Sequence, residues 1–222
     1  LIDLDPQGNA TMGLGIDKTN LVQGMTEVLL GDCLAKDAVL KTAADVDVLP
    51  GNDSLTIAEV NLLELEDREE RLKLALANLD YDYVFIDCPP SLNMLTINAL
   101  VAAHSVLIPM QCEYYALEGM ADLLNTIELI QDSANPDLYV EGVLRTMYDG
   151  RSRLSTDVSK QLMQHFGKTV YRTVIPRNVR LAEAPSHGMP VLQYDKSSSG
   201  SAAYLILAGE LLGKQKQLQP QS

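Results

Sequence analysis

The chain has 222 residues, 46% of them hydrophobic and 21% charged, which is enough for one sizeable domain with its own core. Its three cysteines, Cys33, Cys88 and Cys112, are widely spaced and form no CxxC pair; this argues against a disulfide scaffold or a structural metal site and fits a reducing cytoplasm. The net charge of −13 hides an asymmetry. Residues 1–140 carry 6 Lys and Arg against 24 Asp and Glu, a balance of −18, and residues 141–222 carry 11 against 6, a balance of +5. Any nucleic-acid surface therefore belongs in the C-terminal third. No apolar run reaches the length of a membrane span, and Asp3 and Asp5 sit where a signal peptide would be basic and then apolar.

In chain order, Leu1–Leu4 is an apolar strand closed by Asp5, and Asp45–Leu49 is a short strand before Pro50-Gly51. Leucines at roughly helical spacing predict a helix over 54–79. Tyr83–Ile86 is an apolar strand closed by Asp87, and Ser105–Ile108 another closed by Pro109. A helix follows over 117–131, then strands at Val140–Leu144, Thr169-Val170 and Val174-Ile175, and a final helix over Ala202–Leu212. Lys196–Ser201 reads as a polar loop and Lys214–Ser222 as a polar tail. Short apolar strands separated by helices predict an α/β fold with a mostly parallel sheet covered on both faces. The expected organisation is one domain over 1–213 plus the tail at 214–222.

Four stretches carry candidate chemistry. Asp3-Leu4-Asp5-Pro6-Gln7-Gly8-Asn9-Ala10-Thr11 follows a strand directly, and ligands of open α/β sheets bind beyond the carboxyl ends of strands. Two carboxylates, an amide and a glycine there suit water positioning near a phosphate-bound cation; they also suit an ordinary turn. Tyr83–Asp87 followed by Cys88-Pro89-Pro90-Ser91 has the Walker B pattern, in which a strand-terminal carboxylate helps hold Mg²⁺, often through water. Ile108–Gly119 links a strand to a helix with a polar loop. Val174–Ser186 exits a strand into a loop where Asn178 could reach a base edge and Arg177 and Arg180 could meet phosphates, or which is simply a solvated basic loop.

Together and in this order, the four stretches resemble the ParA/Soj family of deviant-Walker ATPases. The family signatures read approximately D-x-D-P-Q-G-N, I-D-x-P-P-S, P-x-Q-x-E-Y-Y-A-L-E-G and I-P-R-N-V-R-L-x-E-A-P-S. The likeness continues through Gly188-Met189-Pro190 and Tyr194-Asp195 to Gly200, and so covers nearly the whole chain. It implies a P-loop-type fold, ATP and Mg²⁺ as cofactors, and a set of site residues. Asp5 matches the catalytic aspartate that orients the attacking water. Asp3 matches an acid near the Mg²⁺ shell and Asp87 the Walker B metal ligand. Gln7, Asn9 and Pro89 match positions around the nucleotide, and Met147, Pro176, Arg177 and Asn178 match segments near the base. Arg151 and Arg180 match positions of non-specific DNA binding, with Lys160, Lys168, Arg172, Lys196 and Lys214 as weaker candidates. The resemblance also implies an ATP-dependent homodimer, a ParB-type partner and no membrane.

The departure from the family is the Gly-rich loop K-G-G-x-G-K-T, whose backbone N–H groups and lysines cradle phosphates. The 222 residues contain none. Leu1 lies inside a strand, so the expectation is a fragment lacking the first strand, loop and helix, roughly 30 residues or more. Such a fragment should be inactive by itself and poorly soluble through an open sheet edge. A MinD-like cell-division ATPase shares the first two motifs but would usually end in an amphipathic membrane helix, whereas residues 214–222 have no apolar face. A nitrogenase-iron-protein-like reductase would need a cluster-bridging cysteine pair; the Tyr114–Gly119 and Pro176–Ser186 stretches point to ParA instead. A non-hydrolysing DNA-binding or scaffold remnant is the alternative of a different class.

Overall fold

The computed structural model describes residues 1–113 and 116–218, so Tyr114 and Tyr115 of the third motif and residues 219–222 of the expected tail lie outside the described residues. The chain divides into two compact units. The first comprises Leu1–His104, Asn125–Leu138 and Ala184–Pro190. It opens with β1 (Ile2–Asp3), α1 (Asn9–Gly13), α2 (Met25–Leu30) and α3 (Ala35–Ala38), followed by the antiparallel pair β2 (Leu40–Lys41) and β3 (Asp47–Val48). Then come α4 (Leu55–Leu62), α5 (Arg71–Leu76), β4 (Ile86–Asp87) and α6 (Met94–Ala102).

Strands β1 and β4 are parallel, with Ile2 beside Ile86 and Asp3 beside Asp87, and Leu49 bridges Ile2 on the other side of β1. Ile2, Leu4, Met25, Leu29, Leu55, Leu62, Leu72 and Leu95 form the core of this unit.

The expected single helix over 54–79 is two helices. Five acids crowd Glu64–Glu70, and like charges three and four residues apart oppose helix continuation. The break is completed by a buried residue that sequence reading missed. Asn98 on α6 accepts from the Leu72 N–H at 3.0 Å and donates to the Arg68 carbonyl at 2.7 Å. Arg71 ties the same turn to the Leu29 carbonyl at 2.8 Å. The strand expected at Tyr83–Ile86 is confined to Ile86–Asp87, and Tyr83, Val84 and Phe85 are exposed.

The second unit, built from 105–124, 139–183 and the described residues from Val191 on, holds β5 (Ser105–Gln111), the first part of α7 (Ala116–Ser133), β6 (Tyr139–Tyr148), α8 (Arg153–Phe166), β7 (Val170–Pro176), α9 (Val179–Glu183), α10 (Val191–Tyr194) and α11 (Ser199–Leu218). Its sheet is parallel in the order β5-β6-β7. Pro109 sits inside β5 without breaking it, because β5 pairs only with β6 among the described residues and an edge position needs no proline N–H.

Helices cover both faces, as the strand–helix alternation predicts. Successive residues of a strand point to opposite sides. Leu144 of β6 packs with Tyr171, Ile175, Ala203 and Leu207, which brings α11 to one face. Its neighbour Arg145 reaches Ser159 of α8 on the other at 2.9 Å. The two short strands expected at 169–170 and 174–175 are one strand, β7.

The final helix runs further than expected in both directions, to Leu218. Lys214 anchors its last turns. The Lys214 ammonium lies 3.8 Å from the centroid of the buried Tyr171 ring and donates to the Glu141 carbonyl at 3.3 Å. Lys214 thus has a packing role that its reading as a weak DNA candidate missed.

Candidate functional site

The loop after β1 is held by one buried carboxylate. Asp3 is fully buried. Its Oδ2 accepts from the Thr11 N–H and the Thr11 hydroxyl, both at 2.7 Å, and its Oδ1 accepts from the Asp5 N–H at 3.2 Å. The Thr11 oxygen in turn accepts from the Gly51 N–H at 3.0 Å, locking the Pro50-Gly51 turn onto the same loop. Glycine is required at both crossing points. Gly8 has φ +58°, and a Cβ there would lie 2.6 Å from the Gly51 carbonyl oxygen; a Cβ on Gly51 would lie 2.3 Å from the Asp3 carbonyl oxygen. Asp3 was expected near a metal shell; the structure gives both of its carboxylate oxygens partners within the chain, a strut that holds the loop. Thr11 closes the first motif, and the part Gly51 plays in holding it is not visible in the sequence.

Asp5 stands beyond the strut, half-buried, with Oδ1 accepting from the Gln7 N–H at 2.9 Å. Gln7 and Asn9 are exposed on the same loop. Across the strand pair, Asp87 sits beside Asp3 at the carboxyl end of β4, and the buried Pro89 fixes the chain leaving it. Three carboxylates therefore gather at one end of the β1–β4 pair. Partial burial of the Asp87 carboxyl, reinforced by the charges of Asp3 and Asp5, raises its pKa to about 6. Burial also raises that of Asp3, against the pull of its Thr11 bonds, and pushes the adjacent Cys88 thiol up to about 12.

Among the described residues, no group of three His, Cys, Asp or Glu side chains is arranged to hold a metal ion by itself. Mg²⁺ does not require one: it is commonly held by one or two carboxylates together with substrate phosphates and waters. The crowded acids, with Asp87 held above its ordinary pKa by burial and by the charges of Asp3 and Asp5, fit that use. A cavity of about 520 Å³ lies at the opposite end of the same strands, lined by Leu1, Val46, Val48, Tyr83 and Phe85 among others. It is apolar and has no part in this chemistry.

The second unit brings its own candidates together. Tyr148 pairs with Pro176 in the β6–β7 register, and the Arg177 N–H donates to the Tyr148 carbonyl at 3.1 Å, so Met147 and Pro176–Asn178 share the carboxyl end of this sheet. Met147 has φ +51°, a strained value for a non-glycine residue and one that recurs at ligand sites. Asn178 is engaged as a helix cap: Oδ1 accepts from the Arg180 and Leu181 N–H groups and Nδ2 donates to the Ser199 hydroxyl. Arg151 and Arg180 are exposed and ion-paired, Arg151 with Asp149, and Arg180 with both Glu183 and Asp195.

A family model described as an AAA domain, AAA_31, matches residues 1–140. The chain is 51% identical over 214 residues to the sporulation initiation inhibitor protein Soj of Bacillus subtilis, covering 95% of this chain and 85% of that protein. It is 49% identical over 224 residues to the chromosome partitioning protein ParA of Caulobacter vibrioides, covering 99% and 84%. The chain belongs to the ParA/Soj family of partitioning ATPases. Among solved structures, a Mycobacterium smegmatis protein named cobyrinic acid a,c-diamide synthase, with bound ADP and magnesium, superimposes with a TM-score of 0.84 at 40% identity, covering 98% of this chain and 82% of that one. The ParA/Soj assignment and this match agree on the fold, that of the P-loop ParA- and MinD-type ATPases. Among the described residues, no helix is long and apolar enough to cross a membrane.

Proposed function

We propose that this chain is the ATP-dependent DNA-partitioning component of a bacterial segregation system, acting on the nucleoid in the cytoplasm, with residues 1–213 serving as one ATPase domain. The observation that carries the reading is the pairing of Asp3 with Asp87 in adjacent parallel strands, with Asp5 on the loop between β1 and α1. In this reading Asp5 orients the attacking water, using the orientation fixed by the Asp3 strut. Asp87, with Asp3 behind it, supplies the anionic wall for Mg²⁺; when bound, the ion neutralises charge on the β- and γ-phosphates. Gln7, Asn9 and Pro89 border the phosphate side, and Met147, Pro176, Arg177 and Asn178 shape the segment for the base. The work asked of the chain is positioning and charge stabilisation, with no covalent intermediate.

ATP binding then favours a homodimer that lays Arg151 and Arg180 on DNA phosphates without reading sequence, and a ParB-type partner stimulates hydrolysis and release. The positive balance of residues 141–222 supports that placement.

The test is ATP turnover. The Leu1–Ser222 polypeptide, which contains no Gly-rich lysine loop, is expected to show none. A hybrid carrying a strand and a K-G-G-x-G-K-T loop with its helix ahead of Leu1 is expected to hydrolyse ATP in Mg²⁺, and Asp5→Ala in the hybrid to lower kcat by about 100-fold or more. Unchanged kcat in the Asp5→Ala hybrid would remove Asp5 from the mechanism.

A further inference from the structure

Both candidate DNA-binding arginines are already occupied by carboxylates. The Arg180 Nη1 donates to Glu183 Oε2 at 2.8 Å, and its Nε lies 3.2 Å from Asp195 Oδ2. Arg151 makes a two-pronged contact with Asp149, Nε to Oδ1 at 3.1 Å and Nη2 to Oδ2 at 3.2 Å. Asp149 also feels the charge of Arg177, and the bridges hold its carboxyl below its ordinary pKa.

The Arg180 arrangement is braced on every side. Its backbone N–H is fixed by Asn178 Oδ1 at 2.8 Å. Glu183 Oε2 also accepts from the Tyr194 hydroxyl at 3.2 Å. Asp195 Oδ1 accepts from the N–H and hydroxyl of Ser197 at 3.0 and 2.8 Å, while its own N–H donates to the Val191 carbonyl at 2.8 Å. Leu181, next to Arg180, packs so tightly on Gly200 that a Cβ there would lie 2.6 Å from its Cγ. The acids are thus held at the guanidinium by α9, by the turn after α10 and by the start of α11. The guanidinium and its two carboxylates together carry one negative charge, so the group as it stands does not attract a phosphate.

We propose that Asp195 and Glu183 mask Arg180, so that a DNA phosphate binds it only by displacing a carboxylate, with Asp149 masking Arg151 in the same manner. The inference rests on the DNA-binding reading given above and adds the acids as determinants of how strongly the surface takes DNA. Exposed ion pairs of this kind are weak enough for a polyanion to open, and a DNA duplex supplies phosphates at high density. The masks would keep unspecific DNA affinity low while leaving the arginines positioned.

The test measures binding of the hybrid described above, in Mg²⁺ and ATP, to a random-sequence duplex by fluorescence anisotropy over a range of salt concentrations. Asp195→Asn is expected to tighten binding about three- to fivefold and to steepen the log–log salt slope by about one unit, the signature of one more phosphate contact. Glu128→Gln, an equal charge change on α7, is the control for net charge alone and is expected to leave the slope unchanged. Adding Arg180→Ala to Asp195→Asn is expected to return affinity and slope to those of Arg180→Ala. A gain matched by Glu128→Gln, or one that survives Arg180→Ala, overturns the masking. Binding that weakens on Arg180→Ala but does not change on Asp195→Asn overturns the masking and leaves the DNA surface standing. No binding by any variant at low salt overturns both.

Discussion

Asp3→Ala is expected to lower the unfolding free energy by about 3–5 kcal/mol, because three donors that now share one buried carboxylate would be left without an acceptor. The loss spreads through the chain of bonds: freed from Asp3, the Thr11 hydroxyl no longer fixes the Gly51 N–H in its place. Chemical denaturation should show a lower midpoint at an unchanged slope, since the same surface is exposed on unfolding. Amide exchange should accelerate at Thr11 and Gly51 before it does in α4 or α6. Asp3→Asn keeps one acceptor oxygen and is expected to cost about half as much.

Asp87→Asn provides the contrast, because it removes a charge that nothing offsets. A carboxyl whose folded pKa is raised contributes stability that is complete below its unfolded pKa and is lost as pH climbs through the folded one, here about 6 for Asp87. Wild type should therefore weaken between about pH 4 and pH 6 more than Asp87→Asn does. Equal pH profiles for the two proteins would mean that neither burial nor the charges of Asp3 and Asp5 raise the Asp87 pKa.

The second large effect is expected at Arg145. This side chain is 7% exposed and has no carboxylate within ion-pair distance among the described residues. Its guanidinium donates to the Ser159 hydroxyl at 2.9 Å and to the Tyr171 and Arg172 carbonyls at 2.9 and 3.0 Å, while Nε has no partner. The two carbonyls belong to β7, where the register with β6 shifts on either side of Arg145. The arginine thus caps strand groups that the ladder leaves open. From the N–H side, Glu210 of α11 does the same for Arg172 and Thr173. Arg145→Ala leaves one buried and one part-buried carbonyl without this donor, and a cavity, and is expected to cost about 3–5 kcal/mol. At 2–4 °C per kcal/mol for a chain of this size, that is a fall in Tm of about 10 °C. Arg145→Lys should not restore it, because one ammonium on a flexible stem cannot reproduce the planar fork. A Tm within 2 °C of wild type for Arg145→Ala would show that water or a shifted side chain satisfies those carbonyls at little cost.

The tips of β1 and β4 were legible because the signal is local: an apolar run, then an acid, then residues that turn the chain. The parallel pairing of those strands and the helix-covered sheet also followed from the alternation of short apolar runs with helices. What escaped the sequence depends on residues far apart in the chain. The acids at Glu64–Glu70 sit on a leucine spacing that continues through them, so only the Asn98 bonds from α6 reveal where the helix ends. Arg145 looks like any base in a charged third of the chain, and its burial depends on the β6–β7 irregularity. Asp3 carries the same letter whether or not it ties down Thr11, and only the bonds show that it does. Arg151 and Arg180 were legible as cations, but the carboxylate of Asp195 is placed on Arg180 by the α9–α10–α11 packing and by nothing in their sequence spacing.

We propose that nucleotide chemistry in this chain controls its hold on DNA, a claim tested by DNA affinity measured with and without ATP. The hybrid carrying the added K-G-G-x-G-K-T loop is titrated onto a random-sequence duplex in Mg²⁺, with ATP, with ADP and with no nucleotide. ATP is expected to tighten binding by about tenfold or more, the salt dependence to be steep, and Arg151→Ala and Arg180→Ala each to reduce the salt slope by about one. Equal affinity in all three nucleotide states, or slopes unmoved by both substitutions, would contradict the claim.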